Sequence, residues 1–265
     1  MTNCPRLSSL WVLVERLKRF SVISYEMAIC ILTLFLLLTV ADTRAGTELE
    51  IRDNNFDFGM VAQNCTVTHR CWFHSVGDDT VTIFDIKTGC GCATAPLQRT
   101  QLSPGDSLEV VTSWQTRAAR GEVGQTVYVY SNASTNPARY SFSATVIQTP
   151  DTTVDVAVLP EKIQISEGSG VQVAHNFTIE NRTANDLAIE LASPVDDEYS
   201  LTFPDTVHAN SSVLGTVNVK TQYMDQEFER SFTLRLIRKV NSCYLLTVPI
   251  VQGDFSFRPR FTTTE

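Results

Sequence analysis

The sequence lacks the short motifs by which several large enzyme classes are recognised. It has no Gly-x-Ser-x-Gly, no His-Glu-x-x-His and no glycine-rich phosphate-binding loop, so nothing indicates a serine hydrolase, a zinc peptidase or a nucleotide-binding enzyme of those types. The carboxylates Asp85, Asp106 and Asp155 are isolated along the chain and are not paired for acid–base chemistry. We therefore predict that the protein is not an enzyme and that it needs no cofactor.

Positive charge is also scarce. The chain has 21 basic and 29 acidic side chains and a formal net charge of −8. Residues 1–45 hold five of the basic and three of the acidic side chains, which leaves 16 against 26, a net charge of −10, in the rest of the chain. Nucleic acid and anionic lipid surfaces repel such a charge, so we predict that neither is a partner.

No apolar run is long enough to cross a bilayer comfortably, which takes about 20 residues. The longest run, residues 28–41, reads AICILTLFLLLTVA and follows the basic residues Lys18 and Arg19. This pattern is typical of a signal peptide, and Thr43-Arg44-Ala45 has small residues at the positions that a signal peptidase reads before Gly46.

We therefore predict a signal peptide over residues 1–45, with Met1 or Met27 as the true start. The alternative is an uncleaved membrane anchor over residues 22–41, which would be the only contact with a membrane. Both alternatives place the rest of the chain outside the cytoplasm, in the periplasm or secreted, where disulfides persist.

Helical periodicity is absent beyond residue 45, and the pattern there has a period of two. Apolar or small side chains alternate with polar ones along residues 67–73, 108–114 and 140–146. Turn signals such as Gly77-Asp78 and Pro104-Gly105 separate these runs. Several short strands spaced by turns favour a β-sandwich of the immunoglobulin-like kind.

A weak repeat indicates two copies of this unit. Three pairs of similar residues lie 106 positions apart: His69 and His175, Ile83 and Ile189, Val111 and Val217. The predicted fold class is therefore all-β, with two tandem immunoglobulin-like β-sandwich domains after the N-terminal signal or anchor segment. The predicted domains are residues 46–149, which contain Cys90-Gly91-Cys92, and residues 150–252, followed by a C-terminal tail over residues 253–265.

An ordered set of motifs runs through the first unit: Phe56-Asp-Phe-Gly59, Val67-x-His69-x-x-x-Phe73, Gly77-Asp78, Cys90-Gly-Cys92, Leu102-Ser-Pro-Gly105 and Ser131-Asn132. Residues 49–146 thereby resemble a bacterial exported family known only as domain of unknown function 1573. That family is related in fold to immunoglobulin-like modules of the motile-sperm-protein type. The resemblance implies this fold and an export route, and it implies no established activity. The second unit lacks Cys-Gly-Cys and the Pro-Gly turn, so only the fold is expected there.

Strand geometry argues against a zinc site built from four cysteines. Cys65 and Cys71 lie six residues apart on one predicted strand, hence roughly 20 Å apart at about 3.3 Å per residue. Zinc–sulfur bonds are about 2.3 Å long, so one ion cannot hold both sulfurs. We predict no metal site from these residues.

A disulfide from Cys65 to Cys90 or Cys92 is the preferred structural prediction. The turn at Gly77 reverses the chain, so Cys65 and the Cys-Gly-Cys pair should lie at the same end of the domain, whereas Cys71 lies in mid-strand. The alternative is a functional pair, in which Cys90 and Cys92 form a thiol redox site or bind copper(I).

The function predicted from the architecture is binding or scaffolding at the bacterial cell envelope, with an envelope protein or surface component as partner. The binding surface is either a sheet edge that accepts a partner strand or the loop from Gly89 to Gln101. The candidate binding residues of this loop are Gly89, Cys90, Gly91, Cys92, Thr94 and Pro96.

Overall fold

The computed structural model describes residues 46–148, 153–165, 174–193, 196–239 and 242–253. The predicted signal or anchor segment, residues 149–152 of the predicted linker, and the tail beyond residue 253 lie outside these described residues. In the part of the chain that the structure describes, no helix has the length and apolar character that a membrane span requires.

The all-β prediction is confirmed. The described residues form 18 strands and one short 3-10 helix, Thr221–Tyr223. The strands of the first half are β1 (Leu49–Arg52), β2 (Asn55–Ala62), β3 (Thr66–Ser75), β4 (Val81–Thr88), β5 (Ala93–Thr94), β6 (Gln101–Leu102), β7 (Ser107–Gln115), β8 (Gly121–Ser131) and β9 (Ala138–Ile147). Those of the second half are β10 (Val156–Leu159), β11 (Ile163–Ile165), β12 (Ala174–Asn181), β13 (Leu187–Leu191), β14 (Tyr199–Thr202), β15 (Thr206–Val207), β16 (Ser211–Val219), β17 (Phe228–Lys239) and β18 (Ser242–Gln252).

The first half is a sandwich of two sheets. One sheet has the order β1-β3-β7-β5, and the other contains β2-β9-β8-β4-β6. The alternation seen in the sequence places Cys71 and Phe73 of β3 in the core and leaves Trp72 at the surface. Across the sandwich, the ring of Phe73 packs edge-on against the ring of Tyr140 of β9, with the ring centres 6.0 Å apart.

The second half repeats this arrangement. The order β10-β12-β16-β14 mirrors β1-β3-β7-β5, and the facing sheet contains β15-β13-β17-β18, with β11 added in parallel to β18. A separate set of buried side chains fills its core, among them Phe177, Tyr199 and Phe232. The domain limits at 149/150 and 252/253 stay predictions, because residues 149–152 and those beyond 253 lie outside the described residues.

A backbone seam joins the two halves into one sheet. β18 pairs in parallel with β2 at Leu246 and Met60, so the sheet runs without a break from β15 to β6. Gly59 sits beside this contact with a φ of +64°, and a side chain there would overlap the backbone of Leu245. Thr247 also donates a hydrogen bond from its hydroxyl to the carbonyl of Phe58, at 2.6 Å. The close approach of β2 to β18 therefore explains why the last residue of the Phe-Asp-Phe-Gly motif is glycine.

Polar contacts extend the seam to β3. The backbone N–H of Thr68 donates to the hydroxyl of Ser231, at 2.9 Å, and that hydroxyl donates to the carbonyl of Thr68, at 3.1 Å. Nearby, Arg70 lies 2.7 Å from Glu109 and 2.5 Å from Asp196, and Asp196 also accepts the hydroxyl of Tyr199 at 3.2 Å. We call the residues Arg70, Glu109, Asp196, Glu198 and Arg230 the Arg70 cluster; within it, Arg230 pairs with Glu198.

The Arg70 cluster is largely removed from water. The side chains of Arg70 and Asp196 are 16% and 8% exposed. Burial raises the pKa of the Asp196 carboxyl above its ordinary value, although Arg70 and Arg230 oppose the shift. A charge in this position depends on its partner, because a buried ion left alone retains its desolvation penalty.

Changing Gly59 to alanine should destabilise the protein strongly. The new Cβ meets the backbone of Leu245 and the residue keeps a left-handed φ, so we expect a loss of at least about 2 kcal/mol in the free energy of unfolding. The matched control is Gly124→Ala in β8, where the nearest atom to a new Cβ is 3.5 Å away; it should change stability by less than about 0.5 kcal/mol. Urea denaturation of both variants measures the difference, and equal losses would contradict the role of Gly59.

Changing Arg70 to methionine should lower the free energy of unfolding by about 3 kcal/mol, because Asp196 is left buried without the cation it contacts. The double variant Arg70→Met/Asp196→Leu should lose less stability than the sum of its single variants, since the buried carboxylate of Asp196 is removed together with its cation. Glu109 loses its contact with Arg70 in both proteins that carry Arg70→Met, so this loss cancels in the comparison. As a control, Arg235→Met removes an ion pair with about half of each side chain exposed and should stay within about 0.5 kcal/mol of wild type. A strictly additive double-mutant cycle, measured by chemical denaturation, would show that the two residues are not coupled.

Candidate functional site

The cysteine loop, residues 89–92, closes the end of β4. The backbone N–H of Gly89 donates to the carbonyl of Thr126 in β8, at 3.2 Å. The hydroxyl of Thr88 donates to the carbonyl of Cys90, at 2.8 Å, and lies 3.2 Å from the carbonyl of Ala93. These contacts fix both ends of the loop to the first sandwich.

Cys90 and Cys92 form a disulfide with each other, with their Cα atoms 5.2 Å apart. The backbone N–H of Cys92 donates to the sulfur of Cys90 at 3.2 Å. Arg117, in the turn between β7 and β8, donates from its guanidinium to the carbonyl of Gly91, at 2.8 Å. Gly91 is exposed and the two cysteines are half-buried, so the bridge lies at the surface with a cation held on its middle residue.

The preferred prediction, a bridge from Cys65 to Cys90 or Cys92, requires correction, since Cys65 is a free thiol in the structure. Cys65 and Cys92 do lie at the same end of the domain, as expected. The N–H of Gln115 donates to the carbonyl of Cys92 at 2.8 Å, and the N–H of the next residue, Thr116, donates to the carbonyl of Cys65 at 2.9 Å. However, β7 runs between β3 and β5, so the two cysteines lie on opposite sides of it. Two strand spacings amount to about 9.5 Å, and a disulfide needs Cα atoms within about 7 Å.

The remaining described cysteines are free thiols in different surroundings. Burial raises the pKa of Cys65 to about 11 and that of Cys71 to about 12. The Cys65 thiol donates to the carbonyl of Ala62, and that of Cys71 lies 3.6 Å from the carbonyl of Val110. Neither thiol ionises at neutral pH, so both act as small core residues. Cys243 is exposed. Among the described residues, no three potential metal ligands come together.

His69, which alternates with apolar residues in the sequence, also packs in the core. Its ring stacks on Phe56 with the centres 4.3 Å apart, and its Nε2 lies 3.1 Å from the carbonyl of Asp53. Burial lowers the pKa of the His69 ring below its ordinary value. The ring therefore fills space beside the Phe-Asp-Phe-Gly motif.

Strand β4 has an open edge next to the cysteine loop. On one side it pairs with β8 along Ile83–Thr88, and on the other side β6 covers only Val81 and Thr82, with one further bond from Ile83 to Thr100. Residues 84–88 have no strand partner on that side within the described part of the chain. Phe84 stands at a bulge in the pairing with β8 and is 67% exposed.

The candidate binding residues chosen from the sequence follow this edge along the chain, from the cysteine loop after β4 to β5 in the facing sheet and Pro96 beyond it. Four of them are exposed and two are half-buried: Gly89, Gly91, Thr94 and Pro96, and Cys90 and Cys92, respectively. Sequence reasoning missed Phe84, because one aromatic residue in an apolar strand is indistinguishable from a core residue until the bulge is known. Arg117 was missed because 26 residues separate it from Gly91.

Residues 49–146 match the family described as "Protein of unknown function (DUF1573)". The resemblance deduced from the motifs is therefore confirmed over this segment, which holds β1 to β8 and most of β9. The description of the family assigns it no activity, and the family is not a known enzyme class. The chain thus contains a β-sandwich domain of uncharacterised function.

No curated protein matches the chain significantly. Among solved structures, a protein of unknown function from Porphyromonas gingivalis W83 is 10% identical with a TM-score of 0.32, over 77% of this chain and 99% of that one. The PapD-like domain 7 of human CEP192 is 14% identical with a TM-score of 0.31, over 38% and 87%. WR4, a C. elegans MSP family member, is 11% identical with a TM-score of 0.32, over 37% and 98%. TM-scores this low support no conclusion about function.

Alkylation of the native, unreduced protein should label one of the five described cysteines, Cys243. Cys65 and Cys71 are buried and protonated, and Cys90 and Cys92 are joined. Peptide mapping by mass spectrometry after iodoacetamide treatment checks this pattern, and unfolding in denaturant without a reductant should add Cys65 and Cys71 only. Labelling of Cys90 or Cys92 before reduction would contradict the assigned pairing.

Proposed function

We propose that the protein is an exported, non-catalytic binding module of the bacterial cell envelope, and that its open β4 edge accepts an extended segment of an envelope protein. The observation that carries this proposal is the row of residues 84–88, which lacks a strand partner on one side in the described structure and carries an exposed Phe84. Sheet edges of this kind accept partner strands through main-chain hydrogen bonds.

The geometry of the edge determines which main-chain groups and side chains a partner strand would contact. Because Gly89 donates towards β8, antiparallel alternation directs the N–H and C=O groups of Ile86 and Thr88 to the open side. Phe84 adds an apolar anchor, and the ammonium of Lys87 sits 5.2 Å from the centre of the Tyr130 ring. The partner strand would gain main-chain bonds from the edge and burial of one aromatic side chain.

The net charge of the protein and its predicted location restrict the kind of partner further. Beyond residue 45 the chain carries a net charge of −10, so a neutral or basic segment suits it better than an acidic one. The export of the protein is supported by the leader pattern of residues 1–45 and by the resemblance to an exported family. A disulfide on the surface is also typical of an oxidising compartment.

Phe84→Ser should weaken partner binding at least about tenfold, because burying a phenylalanine side chain contributes about 1.5–3 kcal/mol. Leu214→Ser is the matched control, since Leu214 is a strand residue of the second half with a similar exposure of 64%. A photocrosslinking residue at position 84, and the same residue at position 214, would be tested against envelope extract. Crosslinks from position 84 should map to one extended segment of a discrete envelope protein.

Two results would refute this function. The first is an identical set of crosslinked proteins from positions 84 and 214. The second is undiminished binding of the identified segment, made as a synthetic peptide, by Phe84→Ser protein. Sequencing the N-terminus of the mature protein tests the export step separately, with Gly46 expected as the first residue.

A further inference from the structure

The Cys90–Cys92 disulfide is a second feature of the same surface, and strand docking makes no use of it. It closes a loop of three residues on the outside of the sandwich, so it crosslinks no distant parts of the chain. A bridge that encloses one residue constrains the unfolded chain little and therefore has a small stabilising role. Exposed bridges are the ones that exchange with external thiols.

The surroundings of the bridge favour release of a thiolate at Cys90. The N–H of Cys92 already points at the sulfur of Cys90, and an N–H donor stabilises a negative charge that forms there. The guanidinium of Arg117 is held on the carbonyl of Gly91, which places a permanent positive charge on the residue between the two cysteines. Nearby cations lower the energy of a cysteine thiolate, and a more stable leaving thiolate speeds exchange.

The loop is also held in place by contacts that do not involve sulfur. Thr88 binds the carbonyls of Cys90 and Ala93, and the N–H of Gln115 donates to the carbonyl of Cys92 at 2.8 Å. None of these bonds uses a sulfur atom, so opening the bridge removes none of them, and we expect the two thiols to stay close enough to close again. The pair can therefore move between dithiol and disulfide without refolding of the sandwich.

We infer that Cys90 and Cys92 form a thiol–disulfide exchange site that oxidises a pair of cysteines in another exported protein. A substrate thiolate attacks the sulfur of Cys92, the bond between the two sulfurs breaks, and Cys90 leaves as a thiolate. The second substrate thiolate then attacks the substrate sulfur of the mixed disulfide and releases Cys92. The substrate loses two electrons and two protons and gains a disulfide, and Cys90 and Cys92 gain both electrons and both protons.

This inference does not depend on the open edge of β4. Phe84→Ser should leave the exchange rate unchanged, whereas loss of either cysteine should leave edge binding unchanged. The two proposals therefore fail or stand separately.

The exchange is tested with a reduced synthetic peptide that carries two cysteines, in a Cys243→Ser background that removes the one exposed free thiol among the described cysteines. One equivalent of wild-type pair should oxidise one equivalent of peptide, as measured by mass spectrometry, with new maleimide labelling at Cys90 and Cys92. Cys90→Ser and Cys92→Ser proteins should oxidise none. A bridge that stays closed in excess peptide would overturn the inference and leave a purely structural crosslink.

The role of Arg117 gives a second readout that a structural role would not move. In the reduced protein, Arg117→Gln should raise the pH midpoint for alkylation of Cys90 and slow exchange at least about threefold. Arg117→Lys should restore both, and Arg120→Gln, a change at an exposed neighbour, should alter neither. Equal behaviour of Arg117→Gln and Arg120→Gln would overturn the assignment, as would tight copper(I) binding by the reduced pair without any exchange.

Discussion

The close approach of Gly59 to Leu245 is the contact on which the rest of the structure depends. With no side chain at residue 59, β2 comes near enough to β18 for the pairing of Met60 with Leu246, and one sheet then spans both halves. The same approach brings Thr68 to Ser231 and Arg70 to Asp196. The seam thus combines a backbone contact that only glycine permits with buried charges that need each other.

The seam also determines which edge stays open. β2 is paired on one side with β18 and on the other with β9, and the sheet continues through β8 to β4. The short β6 covers only the first residues of β4, so the remaining edge faces outward beside the cysteine loop. A binding edge and a surface disulfide therefore share one end of one strand. Thr88, the last residue of β4, belongs to the edge and also holds the loop.

Local pattern was sufficient to predict the class of fold and the position of the cysteine loop. Alternation identified β3, β7 and β9, and the 106-residue repeat anticipated the matching strand orders of the two halves. The close approach of Gly59 to Leu245 and the pairing of Arg70 with Asp196 could not be predicted from the sequence. The two contacts join residues that are 186 and 126 positions apart in the chain. The partner of Cys65 was mispredicted for a related reason: the sequence places Cys65 and Cys92 at one end but does not show that β7 lies between them.

Calorimetric unfolding tests the central claim, that the seam makes both halves one cooperative unit. The account predicts a single transition for the wild-type protein, with equal calorimetric and van't Hoff enthalpies. In Gly59→Ala protein the transition should split or broaden as the halves become independent. Two well-separated transitions in the wild-type protein, with temperatures that Gly59→Ala leaves unchanged, would contradict it.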